Sequence, residues 1–498
     1  MKLPVVGPSY EATYSDINTQ RCVNMFLSSA GPMGRGDPIN TEGTRYALIP
    51  TSGLTELEDL TGSEMRCLSE YKGLIYAVVD DKVYKVTVNT TAETAVHVQI
   101  GTISTSSTGT VKVATNTTQI AWVDGSGTGY IYTPGTDTFA TINSSDSDFP
   151  GGNSIVFLDG YFIVNDPGTG TFYTSALNNG NNWDPADVAT AESSPDNIVS
   201  LETSKGELWV IGERTTEIWY NAANASGSPL SPRDGLEIQI GCGAAFSVVQ
   251  LDDLVVWLDN RGYVVQSNVS PLVRDNNSGY DLQIISTEAI TSEILSYSVR
   301  SDAIACSFSD KGHLIYQLSF PTAKKTWCYD YTTKIWHERA WANTISGVLE
   351  HHLVQYATTL SQLQLCGGIR SGKIYMMKPD VYTEDEVTIS RIRVTAPVYD
   401  PDMYGLLGID NLSVRLSTGL AELGEEPEIA LRYSNDGGFT WSDETLRRST
   451  GATGQYAKRV DWNRLGVSRE WLFEFTITEP GPFSIIDATI DMEFPPEK

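Results

Sequence analysis

The clearest chemical pattern in the chain is an octapeptide near the C-terminus, Ser434-Asn435-Asp436-Gly437-Gly438-Phe439-Thr440-Trp441. It matches the S-x-D-x-G-x-T-W pattern of an Asp-box. The Asp436 carboxylate can accept hydrogen bonds from turn amides, Gly438 can adopt positive φ, and Trp441 can pack under the hairpin. Sialidases and other glycan-processing propellers have several such boxes, whereas this chain has one. We therefore predict a structural turn built from Ser434, Asp436, Gly438, Thr440 and Trp441, without a catalytic role.

Two histidine segments resemble metal sites only in part. Trp336-His337-Glu338-Arg339-Ala340-Trp341 begins like the H-E-x-x-H zinc motif, but Trp341 stands where the second histidine is needed, and the surrounding pattern is that of a strand. His351 and His352 are adjacent, so their side chains would point to opposite faces of a strand. We predict that neither segment binds a metal.

The remaining motifs also fit turns better than sites. Gly367 with Gly372-Lys373 comes nearest to a phosphate-binding loop, but Ile374 replaces the hydroxyl residue and a strand follows. The Asp80-Asp81 and Asp252-Asp253 doublets lack the spaced oxygen ligands of a calcium loop. We predict no catalytic residue, no cofactor and no metal. A carboxylate pair for glycoside hydrolysis could be formed by any two of the 62 acidic residues, so that alternative stays open.

Composition limits the function classes. The 498 residues include 34 Lys and Arg against 62 Asp and Glu, which gives a net charge of −28, and the hydrophobic content of 40% is sufficient for a core. The acidic balance disfavours non-specific nucleic-acid binding and docking on anionic lipid. Apolar runs such as Leu254 to Leu258 are too short to span a bilayer, and no secretory signal follows Met1, so we expect no membrane anchoring. The six cysteines form no C-x-x-C pair and are expected to be buried free thiols.

The elements that position these residues are β-hairpins. Lys72-Gly73 precedes an apolar run, Asp80-Asp81 turns it, and a second run follows; Lys205-Gly206 and Lys311-Gly312 start similar hairpins. Hairpins begin near residues 73, 119, 160, 206, 253, 312 and 362. A hairpin every ~40–50 residues is the spacing of a propeller blade. We predict an all-β chain with a β-propeller of about seven hairpin units; six blades are possible if the terminal strands share one closing blade.

Three regions follow from where this repeat starts and stops. Residues 1–44 are predicted to be an irregular N-terminal arm, 45–380 the β-propeller, and 381–498 a C-terminal domain resembling a small β-sandwich. A helical or loop segment is expected near 270–300. Within it, Ile290, Ile294 and Tyr297 fall at i, i+4 and i+7 behind a Ser/Thr start, which predicts a helix over 286–297.

An ordered series of short motifs carries a family resemblance. It runs from Gly170-Thr171-Phe172-Tyr173 through Trp183-Asp184-Pro185 and Glu217-Ile218-Trp219-Tyr220 to Gly241-Cys242-Gly243-Ala244 and Trp336-His337-Glu338-Arg339. This series resembles the packaged-DNA stabilisation proteins of short-tailed double-stranded DNA phages, the tail accessory proteins that form the nozzle or hub. The likeness is strongest over roughly residues 150–340. The C-terminal stretches 431–438 and 462–466 resemble modules of phage tail proteins.

The resemblance implies a non-enzymatic virion part located in the phage tail and assembled in the host cytoplasm. It implies a homo-oligomer, as a six-fold ring below the portal and head-to-tail adaptor, which bears tail fibres or spikes and meets a tail needle or plug. Such a ring extends the DNA channel, retains the packaged DNA and serves genome ejection. Double-stranded DNA would pass without sequence-specific binding, and the charge of −28 favours a repelling conduit over a clamp. The alternative is a glycan-binding or glycan-cleaving propeller on a phage tail.

Overall fold

The computed structural model describes residues 1–9, 20–29, 46–103, 106, 108–145, 148–192, 194–268, 281–368, 370–400, 405–420, 425–442 and 445–493. Five strands precede the first blade: β1 (Lys2–Leu3), β2 (Arg21–Val23), β3 (Met25–Ser29), β4 (Tyr46–Pro50) and β5 (Gly53–Asp59). Of these, only β5 belongs to the propeller, as described below.

Five complete four-stranded antiparallel sheets follow in chain order, each formed by consecutive strands. The first three blades consist of β6 (Met65–Tyr71), β7 (Leu74–Val79), β8 (Lys82–Asn89), β9 (Thr94–Thr102), β10 (Lys112–Thr115), β11 (Ile120–Val123), β12 (Thr128–Thr133), β13 (Thr138–Asn143), β14 (Ile155–Leu158), β15 (Tyr161–Asn165), β16 (Thr171–Ala176) and β17 (Asn179–Thr190). Blades four and five consist of β18 (Ile198–Ser204), β19 (Glu207–Gly212), β20 (Thr216–Asn221), β21 (Leu230–Ile238), β22 (Val249–Leu251), β23 (Leu254–Leu258), β24 (Val264–Asn268) and β25 (Asp281–Ile284).

The last two blades complete the ring. They comprise β26 (Ile304–Asp310), β27 (His313–Phe320), β28 (Lys325–Asp330) and β29 (Ile335–Glu338), then, after the hairpin β30 (Ala340–Ala342) and β31 (Leu349–His351), β32 (Val354–Leu360), β33 (Leu363–Gly368) and β34 (Lys373–Lys378). The fourth strand of blade seven is β5, which pairs antiparallel with β34. A strand from before blade one thus closes the propeller. The described residues form seven blades, so the six-blade alternative is wrong although the shared closing blade exists.

Each pair of neighbouring blades is joined by its own apolar cluster. Between blades four and five, for example, Trp209 and Trp257 are both buried, and their rings meet edge to face with centroids 6.3 Å apart. Six further clusters join the other neighbours, the seventh blade to the first included. Non-directional burial of this kind stabilises each sheet against the next around the ring.

The predicted turn dipeptides lie at the hairpin tips. Lys72, Lys205 and Lys311 have φ of 52°, 54° and 49°, and the glycine after each also has positive φ. Two consecutive positive-φ residues form the turn whose twist matches antiparallel strands. The seven predicted hairpins are the second and third strands of the seven blades.

A helix, α1 (Glu288–Ser296), follows blade five, inside the segment predicted near 270–300. The Thr287 side chain accepts a hydrogen bond from the Ile290 amide, and Ile290 and Ile294 are buried against blades five and six. The cap and the apolar spacing explain why this short piece is helical. Residues 269–280 of that segment lie outside the described residues.

The C-terminal strands form a β-sandwich. Before them, β35 (Thr383–Glu384) and β36 (Val387–Thr388) extend the sheet of blade seven beside β5, so the predicted start of the sandwich at residue 381 is too early. The sandwich strands are β37 (Arg391–Val394), β38 (Val398–Tyr399), β39 (Leu407–Leu416), β40 (Glu428–Ser434), β41 (Leu446–Ser449), β42 (Val460–Ser468), β43 (Glu470–Ile477) and β44 (Ile485–Glu493). One layer has the order β3-β4-β44-β39-β42 with β1 beside β44, and the other has the order β37-β43-β40-β41. Trp462, Trp471 and Phe473 are fully buried between the layers.

The prediction of an irregular arm over residues 1–44 is wrong for the described residues. Strands β1 and β3 pair into one sandwich layer, and β2 pairs with β37 of the other. Residues 10–19 and 30–45 of the predicted arm lie outside the described residues. Strands β1 and β2 are short and pair with partners more than 300 residues away, so local sequence gives no signal for them, whereas β3 pairs with the nearby β4.

Candidate functional site

Strand β2 connects the propeller and the sandwich. It lies between β29 of blade six and β37, so that one sheet runs from blade six into the sandwich. Val23 faces Glu338 on one side and Ile392 on the other. Just after β2, the fully buried Asn24 side chain donates to the carbonyls of Ala340 at 2.7 Å and Ser390 at 2.8 Å. A single amide thereby bonds to both domains.

Charged residues surround this shared sheet. These charged residues, together with Ser52, form what we call the junction cluster: Arg21, Ser52, Asp310, Glu338, Arg339, Arg391 and Arg393. Arg21 donates two parallel hydrogen bonds of 2.8 Å to the Glu338 carboxylate, and Lys325 lies 3.3 Å from it. Burial by itself would raise the pKa of Glu338, but these two cations hold it below its ordinary value. The ion pair therefore joins the N-terminal segment to blade six.

A second ion pair of the cluster is completely buried. Arg339 donates to Asp310 at 2.6 Å, and neither side chain is exposed. The Asp310 carboxylate also accepts from the Ser52 amide at 3.2 Å. Burial favours the neutral acid, yet Arg339 and Ser52 keep the pKa of Asp310 below its ordinary value. Because Ser52 lies between β4 of the sandwich and β5 of blade seven, this pair fixes the crossing of the chain between the domains.

The two arginines of β37 hold other segments in place. Arg393 donates to the carbonyl oxygens of Val5 at 2.6 Å and Pro8 at 2.9 Å. The Arg391 guanidinium lies over the rings of Tyr382 and Phe483, with burial lowering its pKa to about 10. Neither arginine is positioned to bind an anion from solvent. Both arginines stabilise the contact between chain segments.

The three histidines predicted not to bind metal lie near the junction cluster but face different partners. His337 is buried, and neither ring nitrogen has a hydrogen-bond partner among the described residues. His351 lies 3.0 Å from Arg370 through Nε2, whereas His352 contacts Gln317 and Glu384. In the described part of the chain, no group of three His, Cys, Asp or Glu side chains is arranged to hold a metal ion.

The Asp-box residues meet in one turn between β40 and β41. Asp436 accepts from the Ser434 hydroxyl at 2.7 Å and from the Thr440 amide at 2.8 Å, and the Gly438 amide donates to Ser434 Oγ at 2.9 Å. Gly438 has φ of +93°. The hydrogen bond from the Thr440 hydroxyl, followed by that from its amide, lowers the pKa of Asp436 to about 2. Trp441 is half-buried with the Arg432 guanidinium 5.6 Å from its ring centre.

The other motif residues take part in turns and surface pairs. Asp80 accepts from the amides of Ser63 and Glu64, and Lys373 lies between Glu56 and Asp385 at 2.9 and 2.8 Å. The six cysteines are all buried and free, as expected. Among the described residues, no helix has the length and apolarity needed to cross a membrane.

Sequence reasoning missed the junction cluster. Its members come from residues 21, 52, 310, 338–339 and 391–393, so no motif contains them. One available signal was the charged run His337-Glu338-Arg339 inside an apolar strand context. Such buried charges require partners, which indicates a contact with a distant segment but does not identify it.

Comparison with known proteins assigns both domains. The family description "Bacteriophage P22 Gp10, beta-propeller" matches residues 1–382, and "Bacteriophage P22 Gp10, beta-sandwich" matches residues 391–493. No curated protein matches the chain. Solved structures with a similar shape include the mitotic checkpoint complex, at 9% identity and TM-score 0.40, covering 70% of this chain and 97% of that one. The WD40 propeller domain of Doa1 matches at 10% identity and TM-score 0.38, covering 66% and 96%.

The two family matches together span almost the whole chain, in the order in which the seven blades and the sandwich occur. The resemblance found in the sequence is thereby confirmed. This chain belongs to the bacteriophage P22 Gp10 family of structural phage tail proteins.

Proposed function

We propose that the chain forms the tail nozzle, or hub, of a short-tailed phage. In this role it assembles as a homo-oligomer, a six-fold ring below the portal and head-to-tail adaptor. The ring bears tail fibres or spikes and meets a tail needle or plug. It extends the DNA channel, retains packaged DNA and serves its ejection, after assembly in the host cytoplasm. The observation that carries this proposal is the family match over both domains.

Two physical features support the proposal. The sheet shared by blade six and the sandwich, with one buried and one partly buried ion pair beside it, makes the two domains one stiff body, as a part that transmits force between neighbours requires. The net charge of −28 would repel DNA from any wall formed by this chain and would keep the DNA free to slide. No sequence-specific contact with DNA is needed.

The test is imaging of phage tails assembled with the chain carrying a small fused tag. We expect six copies of the tag around the exit channel, directly below the adaptor, and a loss of packaged DNA from particles that lack the chain. Tag density away from the exit channel would contradict the proposal. Cleavage of host polysaccharide by the purified chain would instead favour the glycan-processing alternative.

A further inference from the structure

The hairpin of β30 and β31, between blades six and seven in the chain, presents an apolar tip to solvent. Ile345 at the tip is 96% exposed, the highest fraction among the large apolar side chains that the structure describes, and Val348 is 56% exposed. The turn that carries them is ordered. The Asn343 amide donates to the Val348 carbonyl at 3.0 Å, and the Asn343 side chain accepts from the Ile345 amide at 2.9 Å. An apolar side chain held in water by an ordered turn gains free energy when another surface covers it.

The base of this hairpin is fixed to both neighbouring blades. Glu350 on β31 lies 3.2 Å from Lys324 of blade six and forms an ion pair with Arg370 of blade seven. The Arg370 guanidinium also lies over the ring of Trp341 on β30, 5.3 Å from its centre. A hairpin fixed in this way loses little conformational freedom on binding, so burial of its tip is retained as binding free energy.

A cavity of about 820 Å³ lies at the other end of β29, beside the sandwich. Ile335 at the start of β29 lines it, whereas the hairpin begins two residues after β29 ends. Because the sheet that contains β29 is continuous with the sandwich, the tip and the cavity are held apart, and a tip can enter only the cavity of another molecule. The lining of the cavity is mostly apolar and includes Pro4, Val6, Leu27, Tyr46 and Ile335.

The charges of the two surfaces suit a contact between copies of this chain. Each copy has a net charge of −28, so two copies repel each other where acidic surfaces meet. The tip, residues 343–348, contains no charged residue. The charged residues that line the cavity are two cations, Lys2 and Arg415, against one acid, Asp487. A neutral tip and a rim with an excess of one positive charge favour the approach of an acidic neighbour.

We propose that the hairpin tip of one copy inserts into this cavity of the next copy, with Ile345 packed beside Val6. This inference rests on the proposed ring and names the contact between its subunits. Because tip and cavity are different surfaces, each copy uses its tip toward one neighbour and its cavity toward the other. Contacts of this kind close into a ring when the rotation between copies permits it. Burial of the isoleucine corresponds to roughly 10- to 100-fold in the association constant.

Cysteine cross-linking in assembled tails tests this contact. The six native cysteines are buried, so Val6→Cys and Ile345→Cys supply the thiols that react with a short bismaleimide. Denaturing gels of tails in which every copy carries both substitutions should show covalent multimers of up to six chains, whereas each single variant should show none. Val6→Cys combined with Phe439→Cys is the matched control, because Phe439 is also an exposed apolar residue, at 79%, but lies in the Asp-box turn. This control should give no multimers.

A competition supplies a second measurement. In tails assembled from equal amounts of unmodified and Ile345→Asp chains, the share of the variant should fall roughly tenfold or more, whereas Phe439→Asp should be incorporated like the unmodified chain. Equal incorporation of Ile345→Asp would overturn the inference. Tails that contain the six-fold ring but give no multimers from the double-cysteine chain would overturn it while leaving the ring intact. Products that stop at two chains would also overturn it, because they indicate a two-fold pair. Tails without a ring of this chain would contradict the proposed function and this inference together.

Discussion

The contacts between blades and the junction between the propeller and the sandwich solve the same packing problem with different chemistry. Between blades four and five, Trp209 and Trp257 meet in an apolar cluster. At the junction, Arg339 meets Asp310 and Arg21 meets Glu338, beside the sheet that runs from blade six into the sandwich. The first kind of contact is strong but non-directional; the second tolerates only one arrangement of its donors and acceptors.

This difference shows which contacts determine how neighbouring parts of the chain are oriented relative to each other. A blade has two neighbours of similar shape, and a ring of seven closes through geometry alone. The sandwich could pack against the propeller in many ways, so the contact needs directional bonds such as those of Asn24 to both domains. Between the blades, the stability lost on substitution should therefore depend on the apolar volume removed. At the junction, it should depend on whether a buried charge is left without its partner.

The largest effect is expected for Trp257→Ala. The side chain is fully buried, and its indole nitrogen donates to the Gly241 carbonyl at 3.1 Å. Removal of the ring should cost about 3–5 kcal/mol of the free energy of unfolding. Trp257→Phe keeps most of the apolar volume and should cost less, in urea unfolding followed by circular dichroism. Equal losses for the two variants would show that volume does not determine this interface.

At the junction, Arg339→Met should cost about 3–5 kcal/mol, because it leaves the Asp310 charge buried without its cation. The matched variant is Arg339→Met combined with Asp310→Asn, which removes the charge while retaining an acceptor for the Ser52 amide. The double variant should be more stable than Arg339→Met alone in the same urea unfolding experiment. The free energy of unfolding lost by the double variant is compared with the losses of Arg339→Met and Asp310→Asn measured separately. A loss equal to or larger than the sum of these two would show that the pair does not act through charge.

The next prediction concerns acid. Burial, together with Arg339, holds the pKa of His337 well below 6.5, and burial lowers that of His351 to about 4. The unfolded chain therefore binds protons that the folded chain does not, so stability is present above pH ~6.5 and is lost as the pH falls below it. Each histidine contributes a slope of at most about 1.4 kcal/mol per pH unit.

His337→Phe isolates this slope. The ring lies beside Phe26, with centroids 5.7 Å apart, and its nitrogens have no partner among the described residues, so an apolar ring fits the site. We expect the variant to lose less stability than the unmodified chain between pH 7 and pH 5, measured by urea unfolding at each pH. Parallel pH profiles for the two chains would contradict a buried neutral histidine.

The sequence predicted the hairpins of the blades better than it predicted the junction. Lys72-Gly73, Lys205-Gly206 and Lys311-Gly312 mark hairpins because the turn conformation depends on those residues themselves. By contrast, β5 closes the propeller and β2 joins the domains through pairing over hundreds of residues. The identity of Val23 or Leu54 carries no information about such a partner. The Asp-box residues were found because all five lie within eight positions.

The Asp-box turn is a third kind of contact, which is polar but exposed. Substitution there is expected to have the smallest effect on stability. Its Asp436 pKa of about 2 means that the turn is stabilised above pH ~4 and loses this stabilisation as the pH falls toward 2. The Asp436 carboxylate accepts hydrogen bonds from both the amide and the hydroxyl of Thr440. In Asp436→Asn one of the two oxygens becomes an NH₂ group, which cannot accept, so one of these bonds is lost. The amide hydrogens of Gly438 and Thr440 should therefore exchange faster at neutral pH. Global unfolding should change little, since water can replace the lost bonds at an exposed turn. Asn435→Ser in the same turn is the matched control and should leave exchange unchanged. If Asp436→Asn destabilised the whole chain as much as Arg339→Met, burial would not be what separates the junction cluster from ordinary polar contacts.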